Sequence, residues 1–164
     1  MKKTVSIFLL VFIGTHFSSC SKDPSVYSNR DYSKFVTIKQ GLWGSCIFRE
    51  GNCQPGSDKG CKTYPVKRTI YIFQLTPNSQ TTQLGAHNYP FYIKINTTLV
   101  AQTESNEMGF YQIELQSGQY SILINEEGKY YSNSWDNQDN ITPVTINLNT
   151  NTERHLIIDY KAVY

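Results

Sequence analysis

Two-residue alternation of apolar and polar side chains runs through this chain from Gln40 to its end, and no stretch of helical period competes with it there. The clearest case is residues 109–124. Tyr111, Ile113 and Leu115 share one face, Gln116-Ser117-Gly118-Gln119 turns the chain, and Tyr120, Ile122 and Ile124 then alternate against Ser121, Leu123 and Asn125. Side chains on a strand point to opposite faces in turn, so two such runs about a Gly-containing turn predict a hairpin. Leu42, Gly44, Cys46 and Phe48 against Trp43, Ser45 and Ile47 predict an earlier strand. Ile70 and Ile72 against Tyr71, Phe73 and Leu75 predict one within residues 66–75, ended by Thr76-Pro77-Asn78-Ser79. Residues 91–102 read as strand broken near Asn96, and Glu126-Glu127-Gly128-Lys129 as a turn before a short segment at Tyr130-Tyr131. Val144, Ile146 and Leu148, then Leu156, Ile158 and Tyr160, predict the last two strands. Many short strands with turn residues between them predict an all-β fold, an antiparallel β-sandwich of about seven strands over residues 39–164.

The first 20 residues obey another rule. Met1-Lys2-Lys3 precedes an apolar run from Val5 to Gly14, and Phe17-Ser18-Ser19-Cys20 follows. A positive start, a short apolar centre and small residues before a cleavage point make a secretory signal; the run is too short to span a bilayer as a mature helix. With Cys20 as first mature residue, residues 1–19 resemble a bacterial lipoprotein signal peptide. The resemblance implies acylation of Cys20 and attachment to a membrane, here the outer membrane, by lipid such as palmitate. Residues 20–38, rich in Ser, Lys, Asp, Pro, Asn and Arg, read as the lipidated Cys and a flexible tether. Ser21-Lys22-Asp23 is similar to the short charged signals that send lipoproteins of Bacteroidota to the cell surface.

The mature chain has about 145 residues, which suits one domain of ordinary size. Loss of Lys2 and Lys3 from 15 Lys+Arg brings the basic residues level with 13 Asp+Glu. A neutral chain lacks the clustered basic charge of a nucleic-acid footprint, and its membrane affinity would come from acyl chains alone. With Cys20 lipidated, Cys46, Cys53 and Cys61 remain. Export favours a disulfide. Cys53 and Cys61 flank the turn-rich Gln54-Pro55-Gly56-Ser57-Asp58-Lys59-Gly60 and are expected to pair, with Cys46 a buried thiol; Cys46–Cys61 is the competing pairing. Closing so short a loop adds about 2–3 kcal/mol in the chain-entropy view. The spacing lacks the close Cys pair of a structural zinc site, so no metal or other cofactor is expected.

The string Gly109-Phe110-Tyr111-x-Ile113-x-Leu115-x-x-Gly118-x-Tyr120-x-Ile122 resembles the hairpin of carboxypeptidase-regulatory-like domains, which are transthyretin-like, Ig-type sandwiches of exported bacterial proteins. Trp43-Gly44, Glu50-Gly51-Asn52-Cys53-x-Pro55, Pro65-Val66-x-Arg68 and Asp159-Tyr160-Lys161-Ala162 are similar to small lipoproteins of Bacteroidota with that fold. The resemblance covers roughly residues 40–164. It implies the fold and no shared chemistry, since function lives in sites grafted on folds.

Chemistry is sparse. His87 lies in a loop and His155 on the parity opposite Leu156 and Ile158, and no Ser or Cys sits in a nucleophile-elbow or papain-like context. Glu50 and Glu114 read as solvated carboxylates. Trp135-Asp136-Asn137-Gln138-Asp139-Asn140 offers hard oxygen atoms from Asp136 and Asp139, in a spacing that departs from the EF-hand loop. Tyr130, Tyr131 and Trp135 could form an exposed aromatic platform, which suits carbohydrate or protein recognition. The expectation is therefore a lipid-anchored envelope protein that binds or assembles without catalysis, through loops 79–90 and 132–142. Its ligand would be an envelope protein, a glycan or a host component. Accessory subunit of an outer-membrane complex is the alternative. Cys20→Ser should leave a soluble or unprocessed precursor; membrane retention equal to wild type, read by fractionation, would refute lipidation.

Overall fold

The computed structural model describes residues 30–56, 60–85 and 89–164. The signal peptide, Cys20 and the first part of the tether lie outside the described residues, as does His87. Twelve strand segments follow one another: β1 (Gly41–Asn52), β2 (Lys62–Pro65), β3 (Thr69–Gln74), β4 (Thr81–Gln83), β5 (Phe91–Ile95), β6 (Leu99–Glu104), β7 (Phe110–Glu114), β8 (Gly118–Glu126), β9 (Lys129–Tyr131), β10 (Pro143–Ile146), β11 (Asn151–Glu153) and β12 (Leu156–Val163). They form one sheet of five segments and one of seven, an all-β sandwich. Among the described residues the segments outnumber the expected seven.

β1 organises the five-segment sheet. Its first half lies between β7 and β11 and its second half between β2 and β12. β7 and β2 run antiparallel to it, β11 and β12 parallel. The registers Gly41↔Asn151 and Cys46↔Leu156 share one offset, so β11 and β12 are a single strand interrupted at Arg154 and His155. This parallel pairing is absent from the antiparallel sandwich expected from the sequence, because alternation reports the face of a residue and not the direction of its neighbour. The interruption lies against Gly44, where an added Cβ would stand 1.9 Å from the Arg154 carbonyl oxygen.

The other sheet runs β4-β5-β9-β8-β3-β6, with β10 on β8 beside β9. The β8–β9 hairpin closes through Glu127 (φ 53°) and Gly128 (φ 75°), both left-handed as a two-residue primed turn requires. Within the predicted run 66–75, the chain crosses between sheets: β2 belongs to the first, β3 to the second, and Val66–Arg68 make the crossing. The hairpin expected over residues 109–124 does not form: β7 pairs with β1 in the first sheet and β8 with β3 in the second, so the turn after Leu115 carries the chain from one sheet to the other, and alternation with a Gly-containing turn does not tell a hairpin from such a crossing. The core lies between the sheets. Leu42, Cys46 and Phe48 meet Ile70, Ile72, Ile122 and Ile124, with Val144, Ile146, Leu156 and Ile158 alongside. Leu148, expected as an inward strand residue, lies past the end of β10 and is 70% exposed. The Cys53–Cys61 disulfide forms, with Cα atoms 4.7 Å apart, and Cys46 is the buried free thiol.

The expected tether is shorter than residues 20–38. Residues 30–38 pack as a strap on the outer face of the five-segment sheet. Tyr32, 2% exposed, stacks on Phe110 at 6.1 Å between ring centroids and donates from its hydroxyl to the Met108 carbonyl at 2.9 Å. Phe35 also meets Phe110, and both strap rings cover Trp43. The Thr37 N–H donates to Gln112 Oε1 at 2.9 Å, and Gln112 Nε2 returns to Thr37 Oγ1 at 2.8 Å. The even parity of β1 fills the inter-sheet core, so Trp43 on the odd parity needs its own cover, which the leader's two aromatics supply. A chain beginning at residue 39 should lose about 3 kcal/mol or more of stability in urea unfolding, against one beginning at residue 30; equal midpoints would show the strap to be dispensable.

Candidate functional site

The seven-segment sheet is apolar on both faces. Ile70, Ile72, Ile122 and Ile124 face the core, which turns the other parity outward. There Phe73, Tyr92, Leu123 and Ile141 form a second buried cluster, with Tyr71, Ile95, Tyr130 and Trp135 half-buried around it. Tyr130 meets Tyr71 and Phe73 edge-on, ring centroids 5.2 and 5.5 Å apart. The Asn125 amide donates to the Tyr71 hydroxyl at 3.3 Å, and Gln102, exposed, pairs with Tyr71 across β6. Leu99, the register partner of Phe73, is 46% exposed on the same sheet. A half-exposed aromatic cluster fringed by amides therefore lies on the side of the sandwich opposite the strap.

The expected platform of Tyr130, Tyr131 and Trp135 divides. Tyr130 contributes to the outer face. Tyr131, one residue on, points inward, is 1% exposed, donates to Asp159 Oδ1 at 2.8 Å and accepts the Asp159 N–H at 3.1 Å. Trp135 is half-buried as a lid on the outer cluster, and its indole N–H donates to the Tyr92 hydroxyl at 3.0 Å. Residues 132–142 are consequently tied to the sheet, with Asn133, Asn137, Gln138 and Asp139 left exposed. Ser132, Asn140, Ile141 and Thr142 are buried, and Ile141 N–H donates to the Thr76 carbonyl at 2.9 Å. The other expected contact loop, 79–90, contains β4, which pairs with β5.

Asp136 and Asp139 are turn residues. Asp136 Oδ1 accepts the backbone N–H groups of Gln138 and Asn140, each at 2.9 Å, and Oδ2 accepts the Asn140 amide at 3.0 Å. The Asn140 contacts hold this carboxyl below its ordinary range. Asp139 takes φ 62° and presents its carbonyl to the Asn78 N–H at 2.9 Å. Among the described residues no three His, Cys, Asp or Glu side chains converge as a metal site.

One constellation escaped the sequence reading. Ser45 Oγ lies 2.8 Å from His155 Nδ1, and His155 Nε2 lies 3.1 Å from Glu153 Oε1. Parallel pairing across 110 positions creates this grouping, so local spacing carried no signal of it. The Ser45 N–H also donates to His155 Nδ1, at 3.2 Å. That nitrogen is then an acceptor, and Nε2 carries the proton toward Glu153. The imidazole supplies the acceptor that the interrupted β11–β12 strand does not. Ser45 is 4% exposed, and the Tyr32 ring lies 6.3 Å from the imidazole. The arrangement secures a strand junction.

Compared with protein-family models, curated proteins and solved structures, the chain has no match in any of the three.

Burial raises the Tyr131 phenol well above its ordinary range and pushes the Cys46 thiol up from 9.0 to about 12. Both groups stay protonated in the fold where the unfolded chain would ionise. Their contribution is fully present below about pH 9 and is lost as pH rises, at about 1.4 kcal/mol per pH unit for each group in its titration window. Urea midpoints should be level up to about pH 9 and then fall. Tyr131→Phe should make the fall above pH 10 shallower; an unchanged slope would remove Tyr131 from the core.

Proposed function

We propose that this protein is exported, anchored to a membrane through lipid on Cys20, and works by binding, with the Tyr71–Tyr130–Phe73 face as its contact surface. The observation that carries the reading is the half-exposed aromatic cluster, fringed by Asn125 and Gln102, on the side opposite the strap. Between Cys20 and the strap lie residues 21–29, which reach at most about 30 Å. A chain held that closely from the strap side presents the other sheet outward, away from its anchor. The resemblance to carboxypeptidase-regulatory-like domains belongs to the same proposal and adds a scaffold without a chemistry.

Among the classes of ligand, a glycan fits this face best. Aromatic rings offer area at small entropic cost, and neighbouring amides supply donors and acceptors for hydroxyl groups. Leu99 and Val100 favour a second reading, an accessory subunit of an outer-membrane complex. They are 46% and 44% exposed on β6, which ends the sheet order, and an apolar edge of this kind suits protein contact.

Binding of the mature domain to immobilised envelope and host glycans tests the first reading. Tyr71→Ala with Tyr130→Ala should weaken capture at least about tenfold while circular dichroism stays native. Capture unaffected by both substitutions would move the contact surface elsewhere. No glycan capture, together with a stoichiometric protein partner from native membranes that is lost on Leu99→Lys and kept when the tyrosines are replaced, would favour the subunit reading.

A further inference from the structure

A cavity of about 30 Å³ lies between the sheets, where the interrupted β11–β12 strand faces the chain that follows β9. Ser132, Asn133, Ser134, Thr142, Arg154 and His155 make its polar wall, and the isoleucines of β8 back it on the core side. Asn133 and His155 are exposed, so the cavity borders on solvent. It has room for one small ion or one water.

The wall is rich in donors and short of acceptors. Arg154 Nη2 donates to Ser134 Oγ at 3.3 Å, and Arg154 Nε is buried with no acceptor among the described residues. The hydroxyl proton of Ser134 likewise finds no acceptor among them. Ser132 Oγ and Thr142 Oγ1 are taken up with each other at 2.6 Å. No carboxylate answers the guanidinium. Glu153 is held by His155 at 3.1 Å, and Asp159 accepts Tyr131 and Asn133 on one oxygen and Tyr164 on the other. Arg68, also half-buried, has its carboxylate in Glu126, whereas Arg154 forms no ion pair among the described residues. Charged groups drawn out of water are ordinarily paired. The wall is strained as well. Thr142 takes φ 34°, a left-handed value that a β-branched residue rarely adopts, and strain of this kind gathers at ligand sites.

We infer that this cavity binds a small monovalent anion of the halide class, held by the Arg154 guanidinium and the Ser134 hydroxyl. A water would supply an acceptor and leave the positive charge unpaired; an anion supplies both. The ion ties residues 132–142, which belong to the seven-segment side, to the β11–β12 strand of the other sheet, and so fastens the sandwich at the strand junction. The site stands apart from the Tyr71–Tyr130 face, so it and the glycan reading hold or fail independently.

Thermal unfolding of the mature domain in sodium chloride, sodium bromide and sodium gluconate at one ionic strength tests it. Gluconate is too large for the cavity and sets the baseline. Exchange of gluconate for chloride or bromide should raise the midpoint, by about 4–6 °C for each tenfold rise in halide beyond half-saturation. Arg154→Met should remove the difference between the salts. Should that variant fail to fold, Ser134→Ala provides the second reading: it should keep the gluconate midpoint and weaken chloride binding roughly three- to tenfold. The width of the chloride NMR line gives a readout free of unfolding; the wild-type domain should broaden it, and bromide should reverse the broadening. Equal midpoints in all three salts would overturn the site and leave the cavity to water. Chloride stabilisation kept in Arg154→Met would overturn it by placing the ion elsewhere. Sodium formate stabilising more than chloride at equal concentration would overturn the halide in favour of a carboxylate.

Discussion

The structure depends on one strand being buried on both faces and paired on both edges. β1 carries Leu42, Cys46 and Phe48 into the inter-sheet core and Trp43 under the strap, and every other segment of its sheet is bonded to it. Parallel pairing with β11 and β12 brings the end of the chain against its beginning, a contact across 110 positions. Close approach at Gly44, where a Cβ would meet the Arg154 carbonyl, makes that pairing sterically specific. Where the ladder breaks, a side chain takes over: His155 accepts the Ser45 N–H, and the Arg154 N–H returns to the Trp43 carbonyl at 2.8 Å. Backbone groups buried on both sides leave little alternative, since an unpaired one costs as much as a lost hydrogen bond.

The two outer faces are handled differently. On the five-segment sheet the leader provides the cover, with Tyr32 and Phe35 on Trp43 and Phe110. On the seven-segment sheet residues 132–142 fold back and cover part of the face, with Trp135 and Ile141 over Tyr92 and Leu123. Tyr71 and Tyr130 remain half-exposed beyond that lid. The asymmetry gives the proposed function its geometry, because the covered side is the side from which the chain leads back toward Cys20.

Much of this was legible in the sequence. Alternation set Ile70 and Ile72 against Tyr71 and Phe73 in one strand and Ile122 and Ile124 against Leu123 in another; the structure keeps both alternations and pairs the strands so that the isoleucines share the core face. The turn-rich segment after Cys53 favoured Cys61 as its partner over the competing Cys46–Cys61 pairing, because a short loop brings its ends together without long-range help, and the structure forms that bridge. The aromatic platform was only partly legible. Tyr130 and Tyr131 are adjacent on a strand, so they must part to opposite faces, and periodicity cannot say that both faces are packed. Trp135 and its neighbours read as a polar loop because the apolar cluster that they cover comes from β3, β5 and β8.

By itself the sequence determined the class of fold, the alternation of faces along each strand and the turn at Glu127-Gly128, and favoured Cys53–Cys61 over its competing pairing, all through local periodicity or short loops. Only the tertiary structure decided the parallel partners of β1, the strap, the lid over the outer sheet and the Ser45–His155 junction. Each of these joins residues far apart in the chain. Their positions follow from which surfaces close on one another, and a pattern of apolar and polar residues specifies that a surface is buried without specifying against what.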